Sequence, residues 1–384
     1  MNPITERINA TIDHFRHQDF GLGFRRMLDC IMDTEDMNLY REAIALTKWK
    51  NEHPEDKENL SLRSIELLQK AAHIPLNVDT TKEPVITARH IQKSYGYGRF
   101  SLGPISLNLN KGQVYGLVGE NGNGKTTLLR MLAQELKLNS GDISFHFTGS
   151  RGDQYDLRTK LIYIPQRTER WYGSLKDNLR FVLAHYKTPA NEIETRMMMM
   201  ICRLGLWKYQ ELMWNELSSG YKMRFELART LLRKPEVLLL DEPLANLDIM
   251  AQQVILEDLK YICNSLTRPI AMILSSQQLY EVEKVSDRVI FLKDGRYDEA
   301  QQTVATDEPE HLIVEFDSDE SKEKLNELLL SLGIFRLSYN GGVYIARFDA
   351  QVRFSEVLQL LGNAGIQLTY IRDISASSRR FFIA

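Results

Sequence analysis

The stretch GENGNGKTT, from Gly119 to Thr127, carries the pattern G-x-x-x-x-G-K-[ST]. An apolar run, VYGLVG, precedes it and the amphipathic run TLLRMLAQEL follows, the strand-loop-helix setting that such a loop requires. Glycines at 119, 122 and 124 let backbone N–H groups converge on phosphate oxygens. A helix starting where the loop ends adds unpaired amides and the positive end of its dipole. Lys125 is expected to neutralise β and γ phosphates, and the Thr126 hydroxyl to ligate Mg²⁺. Glu120, Asn121, Asn123 and Thr127 complete the expected nucleotide-binding loop, beside Gly119, Gly122 and Gly124. A second apolar run, VLLLDEP, ends in Asp241 and Glu242. Two acids closing a buried strand should reach the edge where the phosphate loop lies. Asp241 is expected to hold Mg²⁺, directly or through water. Glu242 is expected to polarise an attacking water, a role that needs placement more than an unusual pKa. A third run, AMILSSQQ, turns polar at Ser275, Ser276, Gln277 and Gln278, in what reads as the same position.

These residues need a scaffold that brings several strand ends to one edge. The runs VYGLVG, VLLLD and AMILS, separated by helical segments, predict an α/β core with buried parallel strands. Upstream, Ile105, Leu107 and Leu109 alternate with polar residues as in a half-buried strand. Residues 1 to about 80 read as about four short helices. Phe24, Met27, Leu28, Ile31 and Met32 share one helical face, as do Leu39, Ala43 and Leu46, and Ile65, Leu68 and Ala72. The stretch from Pro75 to Pro84 reads as a linker, and DEAQQTVATDEPE, residues 298–310, as a second. Beyond it come the strand LIVEF, a helix through Leu325, Leu328, Leu329 and Leu332, and a hairpin around Asn340–Gly342. A helix through Val357, Leu360 and Leu361 and the strand IQLTYI follow. This βαββαβ order is that of a ferredoxin-like module. The expected domains are therefore 1–80, 84–298 and 309–384.

The chain has 384 residues, a formal net charge of −3 and 43% hydrophobic residues. The charge gives no general pull toward nucleic acid, and no such partner is expected. Three widely separated cysteines, Cys30, Cys202 and Cys263, argue against a disulfide framework or a zinc site and suit a reducing cytosol. The stretch MNPITERINATIDHF lacks the apolar core of a signal peptide. No run approaches the roughly 18 apolar residues of a membrane span.

Taken with further motifs, these residues resemble the ATP-binding cassette (ABC) ATPases over about residues 85–296. Gln166, ending IYIPQ, is similar to that family's Q-loop glutamine, a Mg²⁺ ligand and sensor. LSSGYKMR, Leu217 to Arg224, resembles its signature motif, and LANLD, ending in Asp248, its D-loop. Tyr95 in KSYG matches the aromatic residue that stacks on adenine. The resemblance implies a P-loop NTPase cassette with antiparallel β and α-helical subdomains, taking ATP and Mg²⁺. Its metal site would involve Thr126, Gln166 and Asp241, and its catalytic pair would be Glu242 and Gln277. It also implies a dimer, with an identical or paralogous ATPase, closing over two ATP molecules. Ser218, Ser219 and Gly220 of one subunit would then contact the ATP held by the other.

Three positions depart from the family's commonest pattern. Ser219 stands where glycine is frequent and Tyr221 where glutamine is common, while the expected switch histidine falls on Gln277, with Gln278 as the alternative register. Glutamine donates an amide N–H to phosphate but carries neither proton nor charge near neutral pH. Hydrolysis is expected to persist at a reduced rate with Glu242 as base.

By resemblance the chain is expected to drive a separate integral membrane permease from the cytoplasmic face of the membrane. The C-terminal module resembles in layout the regulatory domain of exporter ATPases, which favours export. The alternative is a soluble ABC protein acting on the ribosome, on DNA or in cluster assembly. A nucleotide kinase is disfavoured by the signature motif. WYGSLKDNLRF follows the Q-loop, where transporter cassettes meet the membrane subunit. The methionine run 197–200 reads either as an adaptable groove or as helix core. SASSRRFF near the end reads as a docking tail or a free terminus.

Overall fold

The computed structural model describes residues 3–96, 100–147, 154–245, 247–278, 282–297, 311–340 and 342–375. The second expected linker, 298–310, and most of SASSRRFF lie outside the described residues. The chain divides into two compact units, Met1–Ser286 with Leu292–Tyr297, and Asp287–Phe291 with Asp298–Ala384.

The first unit begins with α1 (Pro3–Arg16), α2 (Phe20–Thr34), α3 (Met37–Glu52) and α4 (Lys57–Ala72). Asp19, Asp36 and Asp56 open α2, α3 and α4, each accepting a backbone N–H of the first turn. The apolar faces of the four helices meet in one core that includes Met27, Ile31, Ala43 and Leu68, and Met199 and Cys202 join it from α8 (Ala190–Arg203).

An antiparallel sheet of order β2-β1-β4 comprises β1 (Pro84–Tyr95), β2 (Phe100–Asn110) and β4 (Ser140–Phe145). Ile105, Leu107 and Leu109 of β2 are buried. The central strands are parallel: β3 (Val114–Val118), β5 (Leu161–Ile164), β6 (Val237–Leu240) and β7 (Ala271–Ser276), in the order β5-β6-β7-β3. β3, β6 and β7 are buried throughout, hence their continuous apolar runs. Ile164, Leu240 and Leu274 are in register, as are Val118 and Ser276. The residues that follow each strand therefore emerge at one edge.

Helix α5 (Lys125–Leu132) follows β3 and stops short of the expected TLLRMLAQEL because Gln134 turns to φ +56° and reverses the chain. α6 (Gln154–Lys160) precedes β5. α7 (Leu175–His185), α8 and two short 3-10 turns, Trp207–Tyr209 and Trp214–Glu216, lie between β5 and α9 (Ser219–Leu231). α9 leads into β6, and α10 (Ile249–Cys263) into β7. The short pair β8 (Arg288–Lys293) and β9 (Arg296–Tyr297) joins through Leu292 and Lys293. Met197, Met199 and Met200 are buried, so the methionine run is helix core.

A layer of buried charge ties the N-terminal helices to α8 and α10. Arg203 of α8 is 1% exposed; its Nε donates to Asp29 of α2 and its Nη1 lies 3.2 Å from Asp258 of α10. Arg26 reaches Asp29 at 3.2 Å, Arg25 reaches Glu257 at 3.1 Å, and Arg7 reaches Asp33 at 2.8 Å. Burial works against the Arg203 charge, but Asp29 and Asp258 more than offset it and hold the guanidinium above its ordinary range.

The second unit runs β10 (His311–Asp317), α11 (Lys322–Leu330), β11 (Arg336–Asn340), β12 (Val343–Asp349), α12 (Phe354–Asn363) and β13 (Tyr370–Asp373). The strand order β11-β12-β10-β13, all antiparallel, is ferredoxin-like. The expected strand IQLTYI is only partly a strand. The Ile366 N–H bonds back to the Leu361 carbonyl and closes α12, so pairing begins at Tyr370.

Candidate functional site

At the carboxyl edge of the parallel strands lies a cleft of about 370 Å³. Glu120, Asn121, Gly122, Gly124, Lys125, Thr126 and Thr127 line it from the loop, Gln166, Glu242 and Gln277 from strand ends, and Phe100 from β2. The loop is shaped by close approach and by handedness. A Cβ on Gly119 would stand 2.5 Å from the Leu292 carbonyl oxygen, and Gly124 begins α5 at φ +99°, where side chains are disfavoured. The amino end of α5 thus opens onto the cleft, a placement that suits an anion.

Lys125 is 5% exposed. Its Nζ donates to the Gly119 carbonyl at 2.6 Å and to that of Glu120 at 3.3 Å, and lies 3.4 Å from Glu242 Oε1. The other oxygen of Glu242 accepts from Gln166 Nε2 at 3.0 Å and from Gln277 Nε2 at 2.8 Å. One carboxylate therefore gathers the ammonium and both amides. A phosphate oxygen is an acceptor that suits the same donors, Lys125 and Gln277, that Glu242 holds.

Asp241 is buried behind Glu242. Ser275 Oγ accepts the Glu242 backbone N–H and donates to Asp241 Oδ1, both at 2.9 Å. The Tyr163 hydroxyl donates to Asp241 Oδ2 at 3.1 Å. Burial, and after it the Asp241 carboxylate, push the Tyr163 phenol above its ordinary range, so it stays a donor. Spacing did not single out Ser275, Tyr163 or Phe100. Ser275 was visible only as a polar residue inside the last turn of an apolar strand. SSQQ divides in two, since both serines are buried and both glutamines exposed. Gln278 does not line the cleft; its N–H bonds to Ser276 Oγ at 3.0 Å.

The remaining expected residues lie around this centre. Tyr95 is exposed, its ring 6.3 Å from that of Phe100. Asn123 Oδ1 accepts the Asp294 N–H. Ser218 caps α9 by accepting the Tyr221 N–H, and Asp248 caps α10 by accepting that of Ala251. A Cβ on Gly220 would lie 3.8 Å from Ala251, so the amino ends of α9 and α10 adjoin. Tyr221 packs on Tyr209 with ring centroids 3.8 Å apart, which turns this departure from the family pattern into an internal contact. None of Ser218, Ser219, Gly220 or Asp248 lines this cleft.

The ABC transporter family profile matches residues 102–245. This stretch is an ABC transporter ATP-binding domain. The spermidine/putrescine import ATP-binding protein PotA of Mesoplasma florum is 32% identical over 235 residues, covering 60% of this chain and 65% of PotA. The Fe(3+) ions import ATP-binding protein FbpC of Fusobacterium nucleatum is 32% identical over 212 residues, covering 55% and 56%. The chain thus spans less than two thirds of either relative. Among solved structures, CbiO1 of Clostridium perfringens, described as part of the ABC transporter complex CbiONQ, matches with a TM-score of 0.51. It is 27% identical, with 56% of this chain and 88% of CbiO1 covered. PotA and FbpC are import proteins by name, so the expectation of export has no support from them. The ABC cassette fold read from the sequence is the fold of this domain.

Proposed function

We propose that the chain is the ATP-binding and ATP-hydrolysing subunit of an ABC transporter, working in pairs with an integral membrane permease at the inner face of the membrane. The convergence of Lys125, Gln166 and Gln277 on Glu242 at the mouth of the phosphate loop carries this reading. Lys125 and the α5 amino end bind the phosphates, with Tyr95 and Phe100 placed for the base. Glu242 orients and deprotonates the attacking water, and Gln277 holds both Glu242 and the terminal phosphate. Thr126, Gln166 and Asp241 offer the all-oxygen donor set that suits Mg²⁺, which takes one or two carboxylates together with substrate phosphates. Bound there, the ion would neutralise developing phosphate charge. Ser218, Ser219, Gly220 and Asp248 lie outside the lining of their own cleft and serve the ATP of a second subunit, as a dimer closing over two nucleotides requires. The exposed Tyr172, just after the Q-loop, belongs to the surface offered to the permease.

Phosphate release by the purified chain tests the reading. Glu242→Gln should lower turnover about 10²- to 10⁴-fold while ATP binding is retained. Unchanged turnover would remove Glu242 from the mechanism. Gentle detergent pull-down should recover a membrane protein, whereas recovery of ribosomes would point to a non-transport role.

A further inference from the structure

A second cavity, of about 140 Å³, lies inside the first unit, far along α9 and α10 from their capped amino ends. A cavity of roughly 150 Å³ lined by aliphatic side chains takes a benzene-sized molecule. Its walls are mostly apolar and come from α2, α8, α9 and α10, with Met32, Met199, Leu232 and Ile262 among them. Four cations line it, Arg196, Arg203, Lys234 and Arg268, against three carboxylates, of which Asp29 and Asp33 are paired with Arg203 and Arg7. Glu35 is approached there by Arg268, by Lys234 at 3.6 Å and by Arg196 at 3.9 Å. Three cations crowd one carboxylate, and among the described residues only Arg196 has a further acidic partner, Glu192 at 2.7 Å.

Two more observations mark the place. Glu35 ends α2 at φ +51°, a left-handed position where glycine is usual, so a long acidic side chain is held there against backbone preference. Arg203, 1% exposed, lines the cavity, and its Nη2 makes no hydrogen bond among the described residues. A buried guanidinium N–H without an acceptor is costly, and an oxygen-bearing ligand supplies one. Burial, and after it the Arg268 charge, hold the Lys234 ammonium below its ordinary range, as expected for surplus positive charge.

We propose that this cavity is an effector site for a small amphipathic anion, an aromatic or aliphatic monocarboxylate, whose apolar body fills the crevice and whose carboxylate answers the cations around Glu35. α9 starts at Ser218 and lines the cavity with Leu231; α10 starts at Asp248 and lines it with Tyr261 and Ile262. Occupancy therefore bears on the two helices whose amino ends face a second subunit's nucleotide. The binding half of the proposal stands apart from the ATPase reading; the coupling half rests on it.

Calorimetric titration of the full chain with benzoate and with hexanoate tests the site. At least one should bind saturably and tighter than benzamide, the neutral isostere. The double substitution Lys234→Gln with Arg268→Gln, both at well-exposed side chains, should weaken that binding about tenfold. Met32→Trp, which fills the cavity, should abolish it with an unchanged melting curve. No saturable binding, equal binding of benzamide, or binding indifferent to these substitutions overturns the site. In the coupling arm, saturating benzoate or hexanoate should shift the affinity for a fluorescent ATP analogue about fivefold. An unshifted affinity with intact carboxylate binding overturns the effector role alone. Absence of ATP binding in the unliganded chain would instead count against the proposed function.

Discussion

Two constellations in the first unit each set cations against carboxylates and do opposite work. In the cleft, Lys125, Gln166 and Gln277 gather on Glu242, and the donors Lys125 and Gln277 can exchange that carboxylate for a phosphate oxygen. In the layer under the N-terminal helices, the side chains of Arg203, Asp29, Asp258 and Arg26 are no more than 9% exposed, and each ion-pair partner is costly to replace. The cleft keeps its interactions weak enough to exchange. The layer makes exchange expensive, because each charge depends on its neighbour for solvation it has lost to burial. Under the proposed function the first arrangement serves turnover, while the second ties the N-terminal helices to α8 and α10.

Substitutions can break this contrast or sharpen it. The largest effect is expected in the layer: Arg203→Ala should cost about 3–5 kcal/mol in urea denaturation, since Asp29 and Asp258 are left buried without a cation. A loss as small as that of a surface pair would show the layer to be wetter than its burial implies. Lys125→Ala should cost less stability than Arg203→Ala, because Glu242 keeps the amides of Gln166 and Gln277 as donors. Its turnover should fall about 10²- to 10³-fold, the measure of a preorganised charge. Gln277→Ala should slow phosphate release about tenfold, as loss of one hydrogen bond to a charged group would. Gln277→His compared with it shows what the amide lacks. The smallest effect lies between the extremes, at the partly exposed pair of Asp79 and Lys111, 2.7 Å apart. Lys111 and then Thr81 hold the Asp79 carboxyl down to about 2, below the ordinary carboxylate range. Its stabilisation is therefore complete above about pH 4 and disappears as pH falls toward the folded value. Acid unfolding curves of wild type and Asp79→Asn should converge below that range and differ above it by under about 1 kcal/mol.

The cleft was readable because its parts are local. A loop pattern between a strand and a helix, and acids or amides at strand ends, each report on their own few residues, and parallel register then aligns them. The layer was not, because Arg203 and Asp29 are far apart in sequence and nothing near either one names the other. Tyr163 was missed for a similar reason, and Ser275, though visible in the polar turn SSQQ, showed no partner: both bond Asp241 only once β5, β6 and β7 lie side by side. The same distinction holds in the second unit. The order of its elements was legible from periodicity, whereas the start of β13 was not, because Ile366 is used to close a helix.

Glu242 has a backbone φ of +46°, in the left-handed region. Its N–H is thereby directed onto Ser275, while its side chain turns back among three donors. Main chain and side chain of one residue are thus clamped from opposite sides, and the reach of the acid becomes as defined as its charge. Aspartate adopts this backbone more comfortably than most residues but is one methylene shorter. Glu242→Asp would therefore fit the chain and miss the water, separating conformational ease from catalytic reach.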